Sequence, residues 1–272
     1  MSTPAEKADR FRARHHGEIP LLMPNAWDAG SAKLLSSLGF DAIATTSSGF
    51  AATLGRNDGE AQLDEVLDHC RSLVAAVDVP VSADFENGFA DSPAEVAANV
   101  ARAAATGLAG CSIEDFASRD DNPIYQAELA AERVAAAAEA AHSGTARLVL
   151  TARCENFLHG RPDLADTIAR LQSFQEAGAD VLFAPGISSA ADIGRILAAV
   201  DLPVSVLANP ATPTIAEMAA LGVARVSVGG SFAWVAYGAA VAAARELLDS
   251  GTYGYARAIG PARAAARAAF GD

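Results

Sequence analysis

The chain has 272 residues, with 20 Lys and Arg against 33 Asp and Glu (net charge −13), 51% hydrophobic and 19% charged residues. That length suits one barrel of alternating strands and helices, and the apolar content is too high for a disordered chain. The acid excess excludes electrostatic binding to nucleic acid or an anionic membrane surface, and no apolar run reaches the ~20 residues of a spanning helix.

The first 20 residues are charged throughout and lack the apolar core of a secretion signal, so they predict a short N-terminal helix carrying His15 and His16. Beyond them, apolar runs recur at 20–24, 41–45, 79–84, 111–114, 147–153, 180–184, 203–207 and 225–228. Their near-continuous apolar character is that of parallel strands covered on both faces. Helical stretches fall between them, at 28–38 before Gly39, 60–77, from the capping sequence Ser92-Pro93-Ala94-Glu95 to Gly107, 127–141, 163–177, 189–200, 214–221 before Gly222, and 231–248. His69 and His142 are read as surface residues of two of these helices, and His159 as a solvated loop residue. A tail, 253–272, carries Arg257, Arg263 and Arg267 among alanines and reads as a terminal helix. Eight strand–helix units without a linker predict an α/β fold, a (β/α)8 TIM-type barrel forming a single domain over 1–272. A doubly wound sheet is disfavoured because no G-x-G-x-x-G follows the first strand. Cys70, Cys111 and Cys154 are odd in number and lack metal-type spacing, which suggests a reducing cytoplasm.

In such a barrel the chemistry sits where strands end. Asp84 and Glu86 are two apart, so an extended backbone would point both carboxylates the same way, and Glu114 ends the next strand at the same level. Three acids in one mouth repel each other unless a cation or shared protons intervene. Oxygen-only ligands favour Mg2+, or Mn2+, over zinc. Arg153, ending the fifth strand, offers a planar fork to a substrate carboxylate or phosphonate. Cys154, beside it, points to the helix layer as an inert thiol. No histidine has a partner spacing that suggests a Ser-His-Asp arrangement.

These residues, in order, resemble the isocitrate lyase/phosphoenolpyruvate mutase superfamily. The matching segments are Pro24-Asn25-Ala26-Trp27-Asp28, Thr45-Thr46-Ser47-Ser48-Gly49, Asp84-Phe85-Glu86-Asn87-Gly88-Phe89, Ser112-Ile113-Glu114-Asp115, Thr151-Ala152-Arg153 and Leu207-Ala208-Asn209. The resemblance implies a barrel whose last helix is exchanged between subunits, giving a homodimer or homotetramer. It implies Mg2+ held by Asp84, with Glu86 and Glu114 acting directly or through water and Asp58 near the metal. Ser48, Gly49, Phe50 and Asn209 would bind substrate and Arg153 its carboxylate, making Arg153, Glu114 and Asp58 the catalytic set. A loop after the fourth strand, residues 115–125, would be the lid.

The resemblance has gaps. The Lys-Lys/Arg-Cys-Gly-His loop of isocitrate and methylisocitrate lyases is replaced by a stretch without Cys, Gly or His, and the Lys of phosphonopyruvate-processing members is absent, leaving Arg119 and Asn122. The expected activity is a Mg2+-dependent C–C lyase or decarboxylase of a small 2-oxo or 2-hydroxy dicarboxylic acid, oxaloacetate-like or methylisocitrate-like, through a metal-stabilised enolate. A P–C bond enzyme (phosphonopyruvate mutase or hydrolase) and a non-catalytic 2-oxo acid binding barrel are the alternatives.

Overall fold

A computed structural model of the chain describes residues 2–117 and 123–271. Its strands are β1 (Leu21–Met23), β2 (Asn25–Ala26), β3 (Ile43–Thr45), β4 (Val81–Asp84), β5 (Gly110–Glu114), β6 (Val149–Arg153), β7 (Val181–Phe183), β8 (Val204–Leu207) and β9 (Arg225–Ser227). All pair in parallel in the order β1-β9-β8-β7-β6-β5-β4-β3-β2. The expected first strand is split at Pro24, which has no N–H for a ladder. Its two halves bond opposite neighbours, β1 to β9 and β2 to β3, so this one segment closes the cylinder. Asn25 secures the seam: its Nδ2 donates to Thr45 O (2.6 Å) and its Oδ1 accepts from Val228 N (3.1 Å).

The helices are α1 (Pro4–Arg14), α2 (Ala29–Ser37), α3 (Ser47–Thr53), α4 (Leu63–Ala76), α5 (Pro93–Ala104), α6 (Ala127–His142), α7 (Leu164–Glu176), α8 (Ala190–Ala199), α9 (Ile215–Leu221), α10 (Ser231–Arg245) and α11 (Ile259–Phe270). No helix among the described residues is long and apolar enough to cross a membrane. Helix α3 falls in a stretch to which the sequence assigned no element; Thr46 caps it, accepting from Gly49 N. Helix α4 starts at Leu63 and not near residue 60, because Glu60 turns back to accept from Asn57 N (2.8 Å).

Two apolar clusters hold the barrel. The larger joins outward strand residues such as Ile43, Val81 and Leu150 to the inner faces of the helices. The smaller plugs the lower lumen, where Ala8 and Phe11 of α1 meet Leu21, Met23, Val149 and Val181. A Cβ on Gly110 would lie 2.8 Å from the Phe11 ring and 2.7 Å from Val149 O, so only glycine admits this plug. The lumen is thus sealed at the strands' N-terminal ends.

Helix placement also corrects two expected surface histidines. His69 is buried, with the Phe50 ring stacked on it at 4.0 Å, and His142 bonds Asp180 at 2.8 Å. Burial lowers the pKa of His69 to about 4; burial and the Arg225 charge lower that of buried His15 to about 3. Both stay neutral in the fold and bind a proton only on unfolding. Each therefore contributes fully above pH 6.5, and that contribution fades as the pH falls toward the native value, by about 1.4 kcal/mol per pH unit. Urea unfolding at pH 7, 6 and 5 should show the stability gap between wild type and His69→Phe shrinking with acid. Parallel curves would contradict it.

Candidate active site

The C-terminal strand ends surround a cavity of about 150 Å3, and a second, wider hollow lies beside it toward the loops after β5 and β6. Ser47, Asp58, Arg153 and Leu158 border both, so Arg153 stands in the wall between them.

Arg153 is the centre of an ion-pair cluster. Strand register sets Glu114 of β5 directly opposite it. Its Nη2 lies 3.1 Å from Glu114 Oε2, its Nη1 2.6 Å from Asp84 Oδ1, and its Nε 2.9 Å from Glu155 Oε1. Side-chain exposures of 15% for Arg153, 11% for Glu114 and 2% for Glu155 place these pairs largely out of water. Burial opposes the guanidinium charge, but Glu114, Glu155 and Asp84 hold its pKa well above the usual value. Asp84 is fixed from the other side by Ser47 N, which donates to its Oδ2 (3.0 Å), while Asp84 N donates to Thr45 Oγ1 (2.8 Å).

The surrounding acids outnumber this cation. Burial first, then Asp84 and Asp58, push Glu86 up to about 8. Burial drives Glu114 well above the carboxylate range; Glu155, Asp84 and Glu86 add to it and Arg153 opposes. Asp58 reaches the surface, yet the protein atoms crowding it raise its pKa, as does Asp84, against the Ser47 hydroxyl. Such carboxyls share protons or attract a cation. Among the described residues no three His, Cys, Asp or Glu side chains are grouped to hold a metal by themselves. The donor set therefore suits an ion that takes one or two carboxylates directly and the rest through water, the habit of Mg2+.

Glu86 reaches the cluster by a different route from the one its spacing suggests. Strand β4 ends at Asp84; Phe85 turns into the core, and Glu86 adopts a left-handed backbone (φ 46°). Its carbonyl accepts from Glu114 N (2.9 Å), which ties the turn to β5. Behind the site, Asp115 accepts from Glu155 N (2.8 Å) and pairs with Arg170 Nη1 (3.1 Å), fixing the ends of β5 and β6. Burial, countered by these bonds, leaves Asp115 at about 6.

The structure gathers Ser48, Asp58, Asp84, Glu86, Glu114 and Arg153 around the two hollows. Gly49, Phe50 and Asn209 line neither. Gly49 packs tightly against Thr46, Trp27 and Ala233; Phe50 stacks outward on His69; Asn209 is exposed and bonds Ala211 N in its own turn. Neither Glu155 nor His159 was read as a site residue in the sequence. Glu155 shares the pleat side of Arg153, a signal that was available. His159 is not simply solvated: it stacks on Phe116 at 3.7 Å, 3.8 Å from Glu155. The base of the expected lid is a short antiparallel bridge, Phe116 to Ile124, with Tyr125 N donating to Asp115 O (2.9 Å). Residues 118–122, with Arg119 and Asn122, lie outside the described residues. All three cysteines are buried, and burial raises the pKa of each, to about 12 for Cys70 and Cys111.

A family profile described as Phosphoenolpyruvate phosphomutase matches residues 11–248. A solved protein of Burkholderia cenocepacia J2315, provisionally described as a lyase/mutase, is 48% identical with a TM-score of 0.94, covering 97% of this chain and 95% of that one. Another from the same organism, provisionally described as a phosphonomutase, is 35% identical with a TM-score of 0.83, over 92% and 100%. The 2-methylisocitrate lyase of Escherichia coli (strain K12) is 32% identical over 73% of this chain and 68% of that protein.

Proposed function

We propose, for a chain that belongs to the phosphoenolpyruvate phosphomutase family, cleavage of a C–C bond beside the 2-oxo or 2-hydroxy group of a small dicarboxylic acid, with Mg2+ as cofactor. The protein is an enzyme of the carbon–carbon lyase type. The observation that carries the finer reading is the buried Arg153 fork, ringed by Asp84, Glu114 and Glu155 at the wall of a small cavity.

Asp84, with Glu86 and Glu114 directly or through water, would hold Mg2+, which when bound would supply positive charge against the negative charge that bond cleavage leaves on the substrate. Arg153 aligns a substrate carboxylate, while the cluster behind it keeps the guanidinium from swinging away. Ser48 adds a hydroxyl at the wall. Asp58 and Glu86 orient water between the two hollows. No reactive thiol serves as acid, which favours an oxaloacetate-like substrate, where water can return the proton after CO2 leaves, over a methylisocitrate-like one. The unpaired thiols agree with a reducing cytoplasm.

Purified protein offered oxaloacetate, 2-methylisocitrate and phosphonopyruvate, each with Mg2+ or EDTA, tests the reading. Turnover of oxaloacetate that needs Mg2+ is expected. Turnover of the phosphonate alone would favour P–C chemistry, toward which the 35% identical neighbour's description points. Ligand binding with no turnover of any substrate would leave a binding barrel.

The same reading includes a homodimer or homotetramer. Helix α10 buries only Ala233 and exposes Trp234, Val235 and Val241, an apolar face large enough to need a partner copy. Light scattering should give a multiple of the chain mass, and Trp234→Asp with Val241→Asp a lower one. A monomeric wild type would exclude it.

A further inference from the structure

The lumen between the strand ends and the α1 plug is lined by unusually small side chains. Ala44, Ser82, Ser112 and Ser227 face the cavity where barrels of this kind usually carry bulky branched residues. The space they leave runs down from Arg153 to a second arginine, Arg225, at the start of β9.

Arg225 is 3% exposed and borders the cavity. Its Nε donates to Ser205 Oγ (2.9 Å), and its Nη1 to Thr151 Oγ1 (3.0 Å) and, more distantly, toward His15 Nε2 (3.4 Å). His15 Nδ1 faces Phe11 O at 2.8 Å and so carries the ring proton, which leaves Nε2 an acceptor. Every one of these partners is neutral. Among the described residues no carboxylate forms an ion pair with Arg225, and its Nη2 bonds no protein atom. The other two deeply buried arginines have both terminal nitrogens bonded or a carboxylate partner. Arg133 lies against carbonyls of Asn87, Ala90 and Asp91 and over the Tyr125 ring, and Arg170 pairs with Asp115 and Asp166. Burying a cation without a counter-charge costs several kcal/mol. Burial and repulsion from Arg153 accordingly lower the Arg225 pKa to about 9. An anion in the cavity would relieve both.

We propose that Arg225 is the floor of an anion pocket inside the barrel that takes a carboxylate of the small acid substrate, with the hydroxyls of Ser82, Ser112 and Ser227 as its walls and Arg153 at its rim. The acid enters end-on, one carboxylate down, and Arg225 selects for ligands that present that charge at a narrow end. This deepens the lyase reading given above and rests on it for the identity of the ligand; the pocket itself rests on the geometry.

Oxalate, as probe, is titrated calorimetrically into the full chain in EDTA, so that no metal contributes. Arg225→Met is expected to weaken oxalate binding by about tenfold or more at a melting temperature no lower than that of wild type, since the buried charge is removed, and Arg225→Lys to restore part of the binding. Acetate should bind through the same residue, and chloride should compete with both if the pocket accepts any small anion. Equal oxalate affinity in wild type and a folded Arg225→Met protein overturns the proposal. Should neither variant fold, the side-chain nitrogen resonances of Arg225 in the wild type decide: a shift on adding oxalate supports it and no shift overturns it. Oxalate held by Arg225 without turnover of any 2-oxo acid would keep the pocket and remove the lyase reading. Turnover of oxaloacetate with an unchanged KM in Arg225→Met would do the reverse.

Discussion

Asp84→Asn should reduce kcat/KM for oxaloacetate by about 10^3-fold while leaving the barrel folded, the upper end for removal of one preorganised charge. Asp84 ends β4 with both oxygens committed, Oδ1 to Arg153 and Oδ2 to Ser47 N. Asparagine matches its size but sets an NH2 against one of these two donors, and it withdraws the carboxylate around which a divalent ion would assemble. The loss should appear as weaker Mg2+ dependence together with a fall in kcat, because metal placement and carboxylate alignment fail together. Stability should change little, since one acid fewer eases repulsion on Glu86, whose pKa should drop from about 8. Kinetics at several Mg2+ concentrations, with the melting temperature as control, check this. Near-normal activity in the asparagine variant would remove Asp84 from the chemistry and the metal site with it.

What the sequence disclosed and what it concealed follow from the range of the interactions. The β/α alternation was readable because strand and helix periods are local. That Asp84, Glu114 and Arg153 converge was readable because ends of neighbouring parallel strands face one mouth, and the observed register sets Glu114 against Arg153. Glu86 was grouped with them for the wrong local reason, since a left-handed turn, not a pleat, brings it there. Phe50 and Asn209 show the converse. A residue beside a site motif turns away once α3 forms, or is absorbed by a turn that its own side chain caps. Arg225 was hidden inside an apolar run, where a single charged letter says nothing about which face of the strand it occupies. Only the closed cylinder shows that it points into the lumen, and only the α1 plug, with His15 beside it, shows what lies beneath it.

Replacing Arg153 should be as damaging to stability as to activity, and in a pH-dependent way. Among the described residues Arg153 is the one guanidinium or ammonium in ion-pair contact with Asp84, Glu114 and Glu155. Arg153→Met strands these acids, and leaving buried charges uncompensated costs about 3–5 kcal/mol. The fold escapes that cost by protonating Glu114, whose pKa burial already holds well above its ordinary 4.5 and which would lose the opposing Arg153 charge. A raised native pKa means that the folded chain holds protons the unfolded chain has released. Stability is therefore retained below about pH 4.5 and lost progressively as the pH climbs. The methionine variant should melt close to wild type at pH 5 and far below it at pH 8, and Mg2+ should recover part of the deficit at pH 8 by standing in for the missing charge. Arg153→Lys keeps a charge but cannot reach three acids with one planar fork, so it should regain stability without regaining turnover. Thermal unfolding at both pH values, with and without Mg2+, separates these effects. An Arg153→Met protein as stable as wild type at pH 8 in EDTA would mean that the carboxyls around it do not depend on its charge, and that the cluster holds the mouth together in some other way.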